Sequence, residues 1–332
     1  MEALVRMHGG GDPIACAALQ TDMRTFETSW GAIVYRRAWG HDVTLGGPLS
    51  ARSDRAALMQ AFLRTRRRPT FCYLGASDVE ILRGSRLHVA GMGVDRVADV
   101  AALVSAPPKT VRGAIKKARR GGVMLQEASF GGLGETARRA LSDISADYLS
   151  RAECTVEMSF LNRPMSDVDD GLRRLFLLTE RGRLLGFAVL NPVFEAGRVT
   201  GYLLDILRFL RTRVWGVWLS TVHALARQLR HEQLSLSLGF APLCRVHHPP
   251  GRACALAWQV DVGARMLRSA RYLERLRWLK AQIPGFDVPR YFASPSANAL
   301  KNLFVLMEVS GVSWRTLFGP DLLAILAEGV RA

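Results

Sequence analysis

Positive charge at helical spacing is the first chemistry legible in this chain. Between Lys109 and Arg120 there are six basic residues and no acid, and Lys109, Arg112, Lys116 and Arg119 recur at i, i+3, i+7 and i+10. On a helix of 3.6 residues per turn that spacing predicts one cationic face, with Val111, Ile115 and Ala118 opposite. Gly121-Gly122 follows as a C-cap signal. Such a face is either a solvated surface or a track for the phosphates of RNA or anionic lipid. A second basic helix is predicted from Val262 to Ile283, with Arg265, Arg268, Arg271 and Arg275 in one stripe and Leu267, Ala270, Leu273, Leu276 and Leu279 in an apolar one. A third cluster, Arg64, Arg66, Arg67 and Arg68, precedes Pro69. Aromatic residues make up 8% of the chain and do not interleave with these clusters, which argues against a base-stacking platform for single strands.

The segment after Asp205 reads as strand, turn and helix. In acyl-CoA N-acetyltransferases such a turn has the form Gln/Arg-x-x-Gly-x-Gly/Ala, and its amides hold a diphosphate at a helix N-terminus. The corresponding residues are Arg213-Val214-Trp215-Gly216-Val217-Trp218. Trp218 stands where the last small residue belongs, and its bulk opposes a diphosphate, so the scaffold is acetyltransferase-like while the acyl-CoA loop is spoiled. The same Trp-rich segment reads either as core or as the lining of an acyl-chain tunnel.

Other candidate chemistry is weaker. Five cysteines (Cys16, Cys72, Cys154, Cys244, Cys254) are odd in number and scattered, which suits reduced thiols. Cys244 and Cys254 flank His247 and His248, but a C-x9-C spacing is not a zinc knuckle, and no metal site is expected. His223 and His231 fall on a predicted helix and read as structural, and Ser237 lacks a nucleophile-elbow context.

The elements that must carry these residues belong to a globular chain. It has 332 residues, 49% hydrophobic and 22% charged, and a net charge of +16, which together exclude wholesale disorder and point to anionic partners. The longest uncharged apolar run, Val214 to Ala226, is too short to span a bilayer, and the N-terminus carries no secretory signal. A cytoplasmic chain is expected.

Strands are predicted at Gly31–Arg36, Thr70–Leu74 and Arg86–Met92, with a helix from Asp54 to Arg64 between the first two. After the Gly131–Gly134 passage come a helix over Glu135–Ser150, a hairpin of Leu175–Thr179 with Arg183–Asn191, and a strand over Val199–Leu207. A helix over Trp215–Arg230 and a strand over Leu234–Gly239 complete the pattern. This order predicts an α/β protein of two layered domains, residues 1–130 and 131–332, with mixed central sheets flanked by helices.

With these pieces in place, the chain resembles the cytosolic synthase domain of bacterial phosphatidylglycerol lysyltransferases, the multiple peptide resistance factors and related alanyl-phosphatidylglycerol synthases. The resemblance runs from about Asp12 to Pro295. It is carried by Trp30–Arg36, Asp54–Leu58, Val111–Gly122, Asp205–Arg208, Leu238–Leu243, Arg277–Lys280 and Pro289–Tyr291, in order and at family spacing. Departures are Arg275 in place of a glycine, Gln282 in place of a second lysine, and a poor match over Glu153–Phe160.

The resemblance implies tandem acetyltransferase-like (GNAT-type) domains. It implies transfer of an amino acid, lysine or alanine, from aminoacyl-tRNA to the hydroxyl of phosphatidylglycerol or a related lipid. Aminoacyl-tRNA is then the co-substrate, with no other cofactor, and the partners are tRNA and the anionic inner face of the cytoplasmic membrane, where the protein would sit peripherally, with a separate flippase as a possible companion. Asp205 and Arg208 match the family's Asp-x-x-Arg and become the expected catalytic pair. The carboxylate orients a hydroxyl or binds an α-ammonium, and the guanidinium meets phosphate or oxyanion. Lys280, Arg277 and Arg290 are the expected phosphate ligands at the site. Arg112, Lys116 and Arg120 are expected to meet the tRNA acceptor stem or the lipid surface.

Overall fold

The computed structural model describes residues 1–151, 159–165, 171–249, 255–266 and 271–312. The strands are β1 Arg24–Thr28, β2 Gly31–Ala38, β3 His41–Leu45, β4 Pro69–Leu74, β5 His88–Ala98, β6 Val123–Ala128, β7 Arg174–Glu180, β8 Arg183–Glu195, β9 Arg198–Phe209, β10 Ser235–Pro242 and β11 Gly285–Ser294. The helices are α1 Glu2–His8, α2 Arg55–Thr65, α3 Ala76–Ile81, α4 Val100–Ser105, α5 Lys109–Gly121, α6 Glu135–Arg151, α7 Val217–His231, α8 Ala255–Met266, α9 Arg271–Ala281 and α10 Ala299–Val309.

All strands join one 11-stranded sheet, in the order β1-β2-β3-β4-β11-β5-β10-β9-β8-β7-β6. Two neighbouring pairs run parallel, β3 with β4 and β9 with β10, and each is connected through a helix, α2 or α7. The other described pairings are antiparallel. Each half of the sheet therefore repeats one device: an antiparallel run that ends in a strand–helix–strand crossover. This is the mixed α/β architecture that the element order predicts, and it agrees with the acetyltransferase-type fold that the resemblance implies.

The layers follow from side-chain alternation. On one face, Leu204 of β9, Val111 and Ala114 of α5, Leu103 of α4 and Leu219, Val222, Leu225 and Leu229 of α7 form one core. On the other, Ile206 of β9 packs with Phe187 and Val189 of β8 and with Leu141 and Ile144 of α6. The first half has its own cores, one of them around Phe62, Phe71 and Tyr35.

Local signals place the elements they should. α5 runs Lys109–Gly121 and ends on Gly122 in the left-handed region at φ 72°, which a glycine adopts without strain. α6, the β7–β8 hairpin, β9 and α7 also form within two residues of their predicted starts. One helix expected over Val262–Ile283 is corrected: α8 already starts at Ala255, α9 spans Arg271–Ala281, and residues 267–270 lie outside the described set.

β11 has no counterpart in the predicted elements, because Pro289 interrupts its pattern. Pro289 is tolerated because residues 285–290 pair with β5 alone, and β4 joins only at Tyr291 and Ala293. The missing N–H thus falls where the strand has a single partner.

Candidate functional site

β9 and β10 pair over three residues, Gly201↔Ser235, Tyr202↔Leu236 and Leu203↔Ser237, and then part. β10 makes an irregular step between Ser237 and Phe240 and continues along β5. Gly239 takes φ 73° at this step, and a Cβ there would sit 3.9 Å from the Leu204 carbonyl oxygen. The sheet is therefore open at its centre, beside Asp205.

A bulge sits at the same point. Leu204 pairs with Leu190 and Ile206 with Val189, leaving Asp205 as the extra residue. In a regular strand, residues three apart face opposite sides, so Asp205 and Arg208 would be separated by the sheet. The bulge removes that separation: Arg208 donates to the Ser145 hydroxyl of α6, and Asp205 faces Asn191 on the same side as Ile206 and Arg208.

Asp205 Oδ2 accepts from Asn191 Nδ2 at 2.9 Å and from the Arg163 backbone N–H at 3.1 Å. Burial pushes its carboxyl up to about 6, against the opposing pull of these two hydrogen bonds and of the Arg173 and Arg163 guanidinium groups. The residue as a whole keeps partial exposure, so its environment is desolvated without being sealed. Asn191 is buried, and its Oδ1 has no hydrogen-bond partner among the described residues. Its orientation is set by its donation to Asp205, which turns this acceptor away from the carboxylate. Asn191 gave a signal in the sequence, being an amide inside the apolar run Leu184–Val193. Arg163 and Arg173, both buried, lie outside any periodic pattern.

Lys280 meets the irregular step of β10 from α9. Its Nζ donates to the Gly239 and Phe240 carbonyls, both at 2.7 Å. Burial lowers its pKa to about 8, with Asp95 pulling the other way. Arg277, one turn earlier on α9, is exposed.

Arg290 of β11 is ion-paired. It donates to Asp95 at 2.7 Å, lies 3.1 Å from Asp12, and stacks over Tyr73 at 4.4 Å. Tyr73 in turn donates to Asp95, and burial raises the Asp12 carboxyl. This buried set of Asp12, Asp95, Tyr73 and Arg290 lies in β4, β5 and β11 and the segment before β1. No local pattern links its acids, which are more than 80 residues apart in the chain.

Arg112, Lys116 and Arg120 are exposed on α5, whose inner face packs with α7 on the side of the sheet away from the Asp205 carboxylate. Lys117 lies 5.0 Å over the Trp215 ring. The side chains of Arg265, Arg268 and Arg271 lie outside the described residues. The Trp-rich segment divides between core and surface: Val217 and Leu219 are buried, whereas Trp215 is exposed. The N-terminus of α7 meets α5 closely, since a Cβ on its N-cap Gly216 would lie 2.6 Å from Ala114 Cβ. That contact brings α5 against the start of α7. Among the described residues no group of three or more His, Cys, Asp or Glu side chains could hold a metal ion, and no helix is long and apolar enough to cross a membrane.

A family model described as phosphatidylglycerol lysyltransferase, C-terminal, matches residues 2–293. No curated protein sequence matches. Among solved structures, the chain is similar to the C-terminal domain of a putative lysylphosphatidylglycerol synthetase from Agrobacterium fabrum, with a TM-score of 0.75 and 17% identity over 94% of this chain and 96% of that one. It is similar to L-PGS from Bacillus licheniformis with a TM-score of 0.74 and 16% identity over 95% and 96%. It is also similar to FemX, with a TM-score of 0.54 and 8% identity over 91% and 96%. At these identities the structures establish the shared fold.

Proposed function

The chain belongs to the phosphatidylglycerol lysyltransferase C-terminal family, and from that premise we propose that it is an aminoacyl-tRNA-dependent transferase. It esterifies an amino acid, lysine or alanine, onto phosphatidylglycerol or a related hydroxylated lipid. The lipid hydroxyl attacks the carbonyl carbon of the aminoacyl ester. The new ester bond forms, the bond to the tRNA ribose oxygen breaks, and the hydroxyl proton ends on that ribose oxygen.

The observation that carries this reading is the desolvated but partly exposed Asp205 carboxylate at the β9 bulge, held by the Asn191 amide and the Arg163 backbone N–H. A reaction without a bound acyl-CoA needs a place for the donor's α-ammonium or for the attacking hydroxyl. A carboxylate accepts hydrogen bonds from either. Lys280 spends two of its three donors on Gly239 and Phe240, and the third is available for the developing oxyanion. Arg208, on the Asp205 face, supplies a guanidinium for lipid phosphate, and Arg277 is the exposed cation next to Lys280. The exposed face of α5 is suited to nucleic-acid phosphate, so tRNA affinity should fall steeply with salt. An acyl-CoA-dependent reaction is disfavoured by Trp218.

The test is to incubate purified protein with labelled Lys-tRNA or Ala-tRNA, with and without phosphatidylglycerol vesicles, and to follow label into the lipid fraction. Label in the lipid supports the reading and identifies the amino acid. Transfer from acetyl-CoA but not from aminoacyl-tRNA overturns it.

A further inference from the structure

The hairpin joining β2 and β3 has an unusual tip. Ala38 pairs with His41, so the loop is two residues, Trp39 and Gly40, at φ 49° and 74°. Positive φ at both positions is the type I′ geometry, whose preferred sequence is Asn-Gly. A bulky side chain in the left-handed region is costly, and here the indole is also 56% exposed. Backbone strain combined with an exposed aromatic ring, at a position where asparagine would serve the turn better, marks a surface selected for something other than stability.

The surroundings of Trp39 define the partner. Its ring stacks on Phe304 of α10 at 5.8 Å, and Leu300, one turn earlier on that helix, is also 56% exposed. Cations ring this apolar spot. Arg68 lies against Gly40, with its Nη1 3.7 Å from where a Cβ would sit. Arg68 and Lys301 are close enough to the buried His41 to help hold its imidazole below the ordinary value, though burial is the larger cause. Arg37 projects from β2 with its side chain half exposed. Among the described residues, the acids of β2, β3 and α10 are Asp42, which is buried between Arg37 and Arg66, and Glu308, which lies two turns along α10 from Lys301, while Asp22 pairs with Arg36 of β2. Of the arginine cluster before Pro69, Arg66 turns inward over Phe26, Tyr35 and Phe62, while Arg67 and Arg68 stay exposed.

We infer that the β2–β3 hairpin tip and the start of α10 form a docking surface for an anionic lipid bilayer, with Trp39 and Leu300 entering the headgroup layer and Arg37, Arg68 and Lys301 meeting lipid phosphate. An amphipathic indole flanked by Arg and Lys is the side-chain set that a membrane interface takes up. The surface is separate from the Asp205 opening. The inference rests on the proposed reaction only for the choice of phosphatidylglycerol as the anionic lipid.

The test measures sedimentation with vesicles of phosphatidylcholine alone or containing one-quarter phosphatidylglycerol. The protein should bind the anionic vesicles and release at high salt. Trp39→Asn should weaken binding about tenfold, and Arg68→Gln about fivefold. Because Trp39→Asn creates the favoured Asn-Gly turn, its thermal stability should hold, which separates lost docking from lost folding. Binding of equal strength by wild type and both variants overturns the inference. Loss of tRNA affinity with unchanged vesicle binding assigns the patch to RNA instead and overturns it equally. Transfer to dihexanoyl phosphatidylglycerol dispersed as monomers should be unaffected by Trp39→Asn. Absence of transfer to any lipid, with vesicle binding still lost in Trp39→Asn, would sink the reaction and leave the docking surface standing.

Discussion

The two strand–helix–strand crossovers are the same device put to different ends. In the first half, β3 and β4 pair from Asp42↔Pro69 to Leu45↔Cys72 and then part at Gly46-Gly47. The opening beyond is filled. Arg55, in the first turn of α2, donates to both carboxylate oxygens of Asp78, at 2.8 and 3.1 Å, and to the Pro48 carbonyl at 2.7 Å. A Cβ on Gly47 would overlap this pair, so the glycine is required by close approach. In the second half the equivalent opening holds Asp205, met by an amide and a backbone N–H and kept partly exposed. One carboxylate is bonded directly by a guanidinium, and the other is desolvated, bonded by an amide and a backbone N–H with the Arg163 and Arg173 guanidinium groups pulling on it from nearby. A geometry that the fold supplies twice is plugged by an ion pair in one half and, in the other, leaves a partly exposed carboxylate that we propose as the site.

The sharpest way to break this comparison is Asp205→Asn. Transfer of label to lipid should fall at least about 100-fold, while folding survives. The stability change should be favourable. Asp205 binds its proton more tightly in the folded chain than at the ordinary value of 3.8, with its pKa at about 6. The cost of burying the charge is therefore absent below pH 4, grows as pH rises to 6, and is complete above it. Asp205→Asn should flatten that slope and gain about 1 kcal/mol at pH 7, a figure discounted for the residual exposure. Urea denaturation at pH 4, 6 and 7 checks the sign.

Asp78→Asn should do the reverse. It leaves Arg55 without its buried partner and should cost about 3 kcal/mol, with transfer per folded molecule unchanged. A variant that folds normally but loses transfer would make the first-half opening a site as well. Gly47→Ala should cost about 1–3 kcal/mol by overpacking the same pair, read as a lower denaturation midpoint.

Asn191→Ala has the smallest predicted effect, about a tenfold loss of transfer. Because Asn191 donates to the Asp205 carboxylate, its removal should also shift the acid limb of the pH–rate profile upward from about 6. An unmoved limb would remove Asn191 from the site. In the wild type the alkaline limb should lie near 8, from Lys280.

The Asp-x-x-Arg spacing was legible, but on a strand it argues against itself, since i and i+3 alternate faces. Only the bulge at Asp205 reconciles the two, and the bulge depends on β8 pairing across it. The acids around Arg290 were invisible for a related reason: Asp12, Asp95 and Arg290 come together only because β11 inserts between β4 and β5. The Trp39-Gly40 tip is not legible in the sequence, because a tryptophan is not a turn signal.

By itself, the sequence determined what depends on neighbours in the chain. The amphipathic α5 with its glycine stop, the β7–β8 hairpin around Glu180–Gly182 and the spoiled loop at Trp218 all follow from periodicity and local sterics within a few residues. The tertiary structure decided what depends on burial and on partners distant in sequence. It set which opening was plugged and which stayed open, the shared face of Asp205 and Arg208, and a carboxyl raised to about 6. Desolvation and strand insertion are properties of the packed molecule, and no window along the chain contains them.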